Sequence, residues 1–184
     1  MGLRSRRSER QEERREFGVG GNAVRYQMRQ KLVSFGNDFW IENADGQRVF
    51  RVDGKALRMR STMDLEDLDG NRLCRIQSRV MHIRDTMAID RPDGSTMATV
   101  HKKLITPLRD KWEVNVDGGE DMSVRGNLVD HEYELEVDGR KIAEVSKRWF
   151  RVRDTYGIQI APDADHVLVL ATAVALDAMA HPGD

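Results

Sequence analysis

The side chains able to do chemistry in this chain are few, and their spacing excludes more than it offers. There are five histidines, His82, His101, His131, His166 and His181. None falls in an H-E-x-x-H pattern or is read as part of another ligand pair at helical spacing, so they read as surface or helix-end residues rather than metal ligands. The one cysteine, Cys74, rules out an internal disulfide and a cysteine-rich metal site. Flanked by Leu73 and close to Ile76, it reads as a buried, inert thiol. Neither a G-x-S-x-G elbow nor a Walker-type glycine–lysine loop occurs. Gly18, Gly20 and Ala23 match G-x-G-x-x-A in spacing. They follow a charged segment where a strand is needed and precede a β-type segment where a helix is needed, so they read as a hinge. Asp177 interrupts an apolar run near its end and has no evident partner; a carboxylate emerging at the end of a core element is the simplest reading, since an unpaired buried charge is costly. No catalytic residue, metal site or cofactor is expected, and an enzyme is not the reading these residues favour.

The remaining chemistry is cationic. Lys102 and Lys103 end one alternating segment, and Lys147 and Arg148 end another. Ala98 and Val100 share parity with Lys102, and Ala143 and Val145 share it with Lys147, so each inward-facing row runs from apolar to cationic. Were these ends to meet, Lys102, Lys103, Lys147 and Arg148 would form a positive mouth suited to a phosphate head group. Two solvated strand ends are the plain alternative.

These residues must be positioned by the elements around them. The dominant one is Val167 to Ala180, VLVLATAVALDAMA, the one long apolar run. Ala and Leu give it high helix propensity. Pro162, Asp163 and Asp165 stand upstream as start signals and Pro182-Gly183 downstream as a stop. A helix over about residues 164–180, apolar on every side, has to be buried on every side. Its length of ~20 Å is short of the ~30 Å bilayer core, which favours a core helix over a membrane span.

Upstream, the chain from Ala23 to Pro162 is a series of short alternating segments. Asp-Gly occurs six times, at Asp45-Gly46, Asp53-Gly54, Asp69-Gly70, Asp93-Gly94, Asp117-Gly118 and Asp138-Gly139, and each reads as a hairpin turn. Trp112, Val114 and Val116 share one face against Lys111, Glu113 and Asn115, as a half-buried strand requires. Glu132 to Val137 repeats the pattern, and Lys141, Ala143 and Val145 are assigned one side of the next segment. About twelve such segments with one apolar face each, and one helix apolar all round, have a simple solution: a mainly β fold, a closed antiparallel barrel around a central hydrophobic C-terminal helix. A flat sheet would leave half the helix exposed.

Residues 1–22 hold six arginines and four glutamates and no apolar face, so they read as a disordered mixed-charge tail before a domain over 23–184. No apolar h-region follows the arginines, and Arg6 stands where a myristoylation signal needs Ser or Thr, so neither signal is expected. Lys plus Arg is 30 and Asp plus Glu is 31; a net charge of −1 gives no reason to expect nucleic acid as a partner.

Seven segments, taken in order, resemble a known family: YQMRQK at 26–31, FRVDGK at 50–55, LDGNRL at 68–73, ATVHKK at 98–103, IAEVS at 142–146, DTYG at 154–157 and ALD at 175–177. Together they are similar to the LURP-one-related family of the tubby C-terminal-like superfamily, over about residues 24–180. The resemblance implies a twelve-stranded barrel around a C-terminal helix. It also implies kinship with phosphoinositide-binding tubby proteins and phospholipid scramblases, and it carries no site residue across. The expected function is a non-enzymatic, cytoplasmic binding module, peripheral at membranes, that recognises anionic phospholipid head groups or a protein partner. Two alternatives stay open: a scramblase-like protein anchored by the C-terminal helix, and an enzyme or small-molecule carrier with a site in the barrel.

Overall fold

A computed structural model describes residues 21–29, 38–57, 60–81, 84–103, 111–149 and 155–181. The proposed tail, His82 and the Pro182-Gly183 stop lie outside the described residues, apart from Gly21 and Asn22 in a turn before the first strand.

Twelve strands precede one helix. They are β1 (Val24–Arg29), β2 (Phe39–Asn43), β3 (Arg48–Leu57), β4 (Arg60–Glu66), β5 (Arg72–Met81), β6 (Arg84–Asp90), β7 (Thr96–Lys103), β8 (Lys111–Val116), β9 (Met122–Asn127), β10 (Glu132–Val137), β11 (Arg140–Ser146) and β12 (Thr155–Ile160). A 3-10 turn (Lys147–Trp149) follows β11, and α1 (His166–Ala180) ends the described chain. Each strand pairs antiparallel with its sequence neighbours, and β1 pairs with β12 to close the barrel. The expected architecture is the observed one, and closure leaves no free sheet edge.

The wall follows the alternation of the sequence. Trp112 and Val114, Tyr133 and Leu135, and Ala98 and Val100 are buried, as their parity requires. Two readings need correction. Asp53-Gly54 is not a turn: it sits within β3, where Gly54 faces Met63 of β4. Lys141 does not share a face with Ala143. A bulge shifts the β10–β11 register, so that Leu135 faces Ala143 but Glu136 faces Lys141. Ile142 and Ala143 are both buried, and Lys141 turns to Glu134 (2.8 Å) and Glu144 (3.3 Å). A bulge inserts one residue and reverses parity on one side of it; no local composition announces it.

The other five Asp-Gly pairs do make turns. In three of them, at Asn43–Gln47, Asp67–Asn71 and Arg91–Ser95, the glycine N–H donates three residues back, and the first residue's N–H bonds to the fifth residue's carbonyl. The glycines have φ of +77°, +82° and +89°. This is the three-residue hairpin loop whose last position is left-handed.

The helix runs up the axis. Asp165 caps it, its carboxylate accepting from the Leu168 N–H at 3.0 Å. Every residue from Leu168 to Ala178 is buried. Ala171, Ala173 and Ala175 are wholly enclosed and let the wall approach the backbone, while Leu170 and Leu176 fill the spaces between. The helix begins two residues later than expected, because Ala164 belongs to a turn in which its N–H bonds to the Ala161 carbonyl. Among the described residues no helix is long and apolar enough to cross a membrane.

Leu170→Ala is expected to cost about 2–5 kcal/mol, and Leu170→Asp to abolish cooperative folding, because it buries an unpaired charge. Urea unfolding followed by circular dichroism measures both. Gly126 is a second sensitive point. Its φ is +126°, and a Cβ there would lie 2.4 Å from the Glu132 carbonyl oxygen. Gly126→Ala is expected to lose more than about 1 kcal/mol, whereas Gly21→Ala, which meets nothing within 4 Å, leaves the midpoint unchanged.

Candidate functional site

The two ends of the barrel differ. At one end lie the five Asp-Gly turns and the start of α1. At the other lie the ends of β1, β3, β5, β7, β9 and β11, the starts of β2, β4, β6, β8, β10 and β12, and the C-terminus of α1. Both features of interest are at this second end, called the rim below.

The first is a cluster that sequence reading missed. His131 ends the β9–β10 turn in a left-handed conformation, φ +53°. Its imidazole is fully buried, and its Nε2–H donates to Asp177 Oδ1 at 2.6 Å. Asp177 therefore does have a partner. His181, the residue that caps the C-terminus of α1, stands on the open side. Its Nδ1 lies 3.3 Å from the same carboxylate oxygen and 3.3 Å from the Asp177 carbonyl. The three ligand-type atoms all lie within 4.8 Å of one another. The His131 ring is stacked with that of His181, centroids 5.2 Å apart, and lies 4.3 Å from the Tyr156 ring at a tilt of 34°. The reading that no histidine belongs to a ligand pair at helical spacing is corrected here: Asp177 and His181 are four apart on a helix, hence on one face, and that half of the signal was in the sequence. The other half, His131, comes from a turn 46 residues away, and nothing local points to it.

The other described histidines are ordinary. His166, the first residue of α1, donates from Nε2 to the Ala161 carbonyl (3.1 Å) and accepts the Tyr26 hydroxyl at Nδ1 (2.8 Å). His101 is half-buried, 3.7 Å from Glu113 across β7–β8. Cys74 is fully buried, and burial followed by the charges of Asp64 and Asp165 pushes its thiol up to about 12, so the inert reading holds.

The second feature is the cationic set. Lys102 and Lys147 are half-buried and Arg148 is exposed; Lys103 is the last position of β7, opposite Lys111. The Lys102 ammonium lies 5.8 Å from the centre of the Trp112 ring. Glu132 organises the other pair. It accepts from the Ser146 hydroxyl and the Lys147 N–H, and Arg148 Nε is 3.7 Å from it. All four positions belong to the rim, but β8, β9 and β10 separate β7 from β11. At ~4.8 Å per strand, the two pairs stand on the order of 19 Å apart along the wall. They are spread around the rim rather than gathered on one phosphate.

Among the described residues the charge is partitioned along the barrel axis. The rim carries Lys102, Lys147 and Arg148, and the strand-end positions Arg29, Arg60, Arg84, Lys103 and Lys111, against Asp38, Asp85, Asp130 and Glu132. The turn end carries Asp45, Asp67, Asp69, Asp93, Asp117, Asp121, Asp138 and Asp163, against Arg48, Arg72, Arg91 and Arg140. Turn hydrogen bonds hold Asp67, Asp93 and Asp121 below the usual carboxylate range, and Arg140 does the same for Asp163, so the acidic end persists well below neutral pH.

All three tyrosines resist ionisation. Burial raises Tyr26, and burial followed by the Asp177 charge raises Tyr133 and Tyr156. Because the folded-state values lie above those of the unfolded chain, the associated stability is complete below about pH 10 and is lost as pH rises through the folded values. In an alkaline titration, tyrosinate absorbance should therefore appear together with loss of near-ultraviolet circular dichroism. Tyrosinate forming near pH 10 in a protein that stays folded would contradict this.

Comparison with known proteins agrees with this architecture. The chain is 30% identical over 151 residues to the uncharacterised protein YxjI of Bacillus subtilis (strain 168), covering 82% of this chain and 90% of that protein. A crystal structure of an Arabidopsis thaliana protein superposes with a TM-score of 0.65 at 14% identity, covering 86% of this chain and 92% of the other, a likeness of fold. The model of the LURP-one-related family matches residues 24–177, from the first residue of β1 to Asp177 at the rim. On this match the chain belongs to the LURP-one-related family.

Proposed function

We propose that the protein is a non-enzymatic binding module whose cationic rim docks on an anionic phospholipid surface, in the cytoplasm and peripheral to the membrane. The supporting observation is the partition of charge: in a chain of net charge −1, the described rim positions are mostly cationic and the Asp-Gly turn end is mostly acidic. A body charged in this way orients as it approaches a negative surface. Cations spread around a rim suit several head groups at once better than a single pocketed phosphate, and each Lys or Arg near such a surface contributes about 1 kcal/mol. The resemblance to the tubby-like superfamily supports the same reading.

The alternatives are weaker on specific grounds. A scramblase-like protein anchored by α1 would need that helix in lipid, whereas Leu168 to Ala178 are enclosed by the barrel. An enzyme or carrier with a site in the lumen would need space that the helix occupies.

Binding to vesicles containing phosphatidylserine or phosphoinositides is expected to exceed binding to neutral vesicles and to weaken with salt, since screening at physiological ionic strength limits electrostatic reach to ~8 Å. Lys102→Glu combined with Lys147→Glu should remove that binding with an unchanged melting temperature, and Arg6→Glu combined with Arg7→Glu should not. Equal loss from both pairs would sink the rim as the docking surface. No vesicle binding by the wild type would point to a protein partner instead.

A further inference from the structure

We infer that His131, Asp177 and His181 form a binding site for one divalent transition-metal ion of the zinc class. The inference is independent of the lipid reading and begins with an electrostatic problem. Asp177 is buried in the last turn of α1, where the helix dipole is negative. That turn contains no Lys or Arg. Among the described residues the ion-pair partners of Asp177 are the two imidazoles. A carboxylate in that position requires positive charge, and two imidazoles with one carboxylate are a ligand set that suits zinc.

The geometry is near what such an ion needs. Tetrahedral coordination with bonds of ~2.1 Å places ligand atoms ~3.4 Å apart. The Asp177–His181 separation is already 3.3 Å. The Asp177–His131 contact of 2.6 Å must open by under an ångström, and the His181 ring, 21% exposed and stacked on His131, must turn to complete the set. Close contact with the tilted Tyr156 ring, 4.3 Å away, holds the buried His131 ring in place, as a ligand should be held. His181 provides the route of entry, because it is 21% exposed while the other two are buried. With three protein ligands, a fourth position is left for water or an exogenous donor. Hard cations such as magnesium and calcium are disfavoured, since two of the three donors are imidazole nitrogens.

The test uses the full chain without a polyhistidine tag, stripped with a chelator and titrated with zinc and with cobalt(II). Expected are about one ion per chain, a cobalt spectrum of the tetrahedral type and a raised melting temperature with zinc, with no response to magnesium or calcium. His181→Ala, which alters a half-exposed cap and leaves the core intact, should weaken zinc binding by about ten-fold or more, since loss of even an outer-shell partner costs 10–100-fold. Asp177→Asn should do the same, and His101→Ala should change nothing. Absence of one-to-one binding, or binding unchanged in His181→Ala and Asp177→Asn, would overturn the inference and leave an imidazole–carboxylate pair alone.

Discussion

The structure depends on enclosing a helix that has no polar side. Leu168 to Ala178 bury every side chain, and in water each large one would forfeit on the order of 2 kcal/mol. A sheet on one face meets half of that demand; a closed wall meets all of it. Closure in turn removes the exposed strand edges that a twelve-stranded sheet would otherwise present. The small residues Ala171, Ala173 and Ala175 let the wall close around the axis, so the composition of the helix and the width of the barrel are linked.

Threading a helix through a barrel also fixes the direction of everything else. α1 enters beside the hairpin turns and leaves at the rim, so its capping carboxylate, Asp165, and its C-terminal residues mark opposite ends. The acidic turns sit at the helix N-terminus, where negative charge is favoured. The cations sit where the helix ends, which is again the favourable arrangement. Asp177 departs from this pattern inside the core. A buried acid at the wrong end of the dipole is held by two imidazoles and flanked by two phenols that stay neutral. Local departures from an otherwise consistent design are where function concentrates.

Much of the architecture was legible in the sequence because it rests on local pattern. Period-two alternation in Lys111–Val116, the repeated Asp-Gly turns and the single apolar run at 167–180 each report a short-range physical fact. Together they imply strands, hairpins, a buried helix and therefore a barrel. Parity even placed Ala98 and Val100 on one buried row. What local pattern misjudged was local in a different sense: Asp53-Gly54 has turn composition but is held within β3 by its pairing with β4, and the bulge at Ile142 turns Lys141 away from Ala143. Pairing between strands overrides the preference of a dipeptide.

The site belongs to tertiary structure alone. The sequence by itself determined the fold class, the helix at its centre, the inertness of Cys74 and the existence of two cationic strand ends. It did not place those ends on one rim some 19 Å apart, since that separation is set by the number of strands between them. Nor did it join His131 to Asp177 across 46 residues. Asp177 and His181 share a helix face by spacing, but His131 reaches them because the β9–β10 turn and the end of α1 arrive at the same end of a closed barrel. Periodicity reports which way a side chain faces; only closure of the barrel around the helix decides what it meets there.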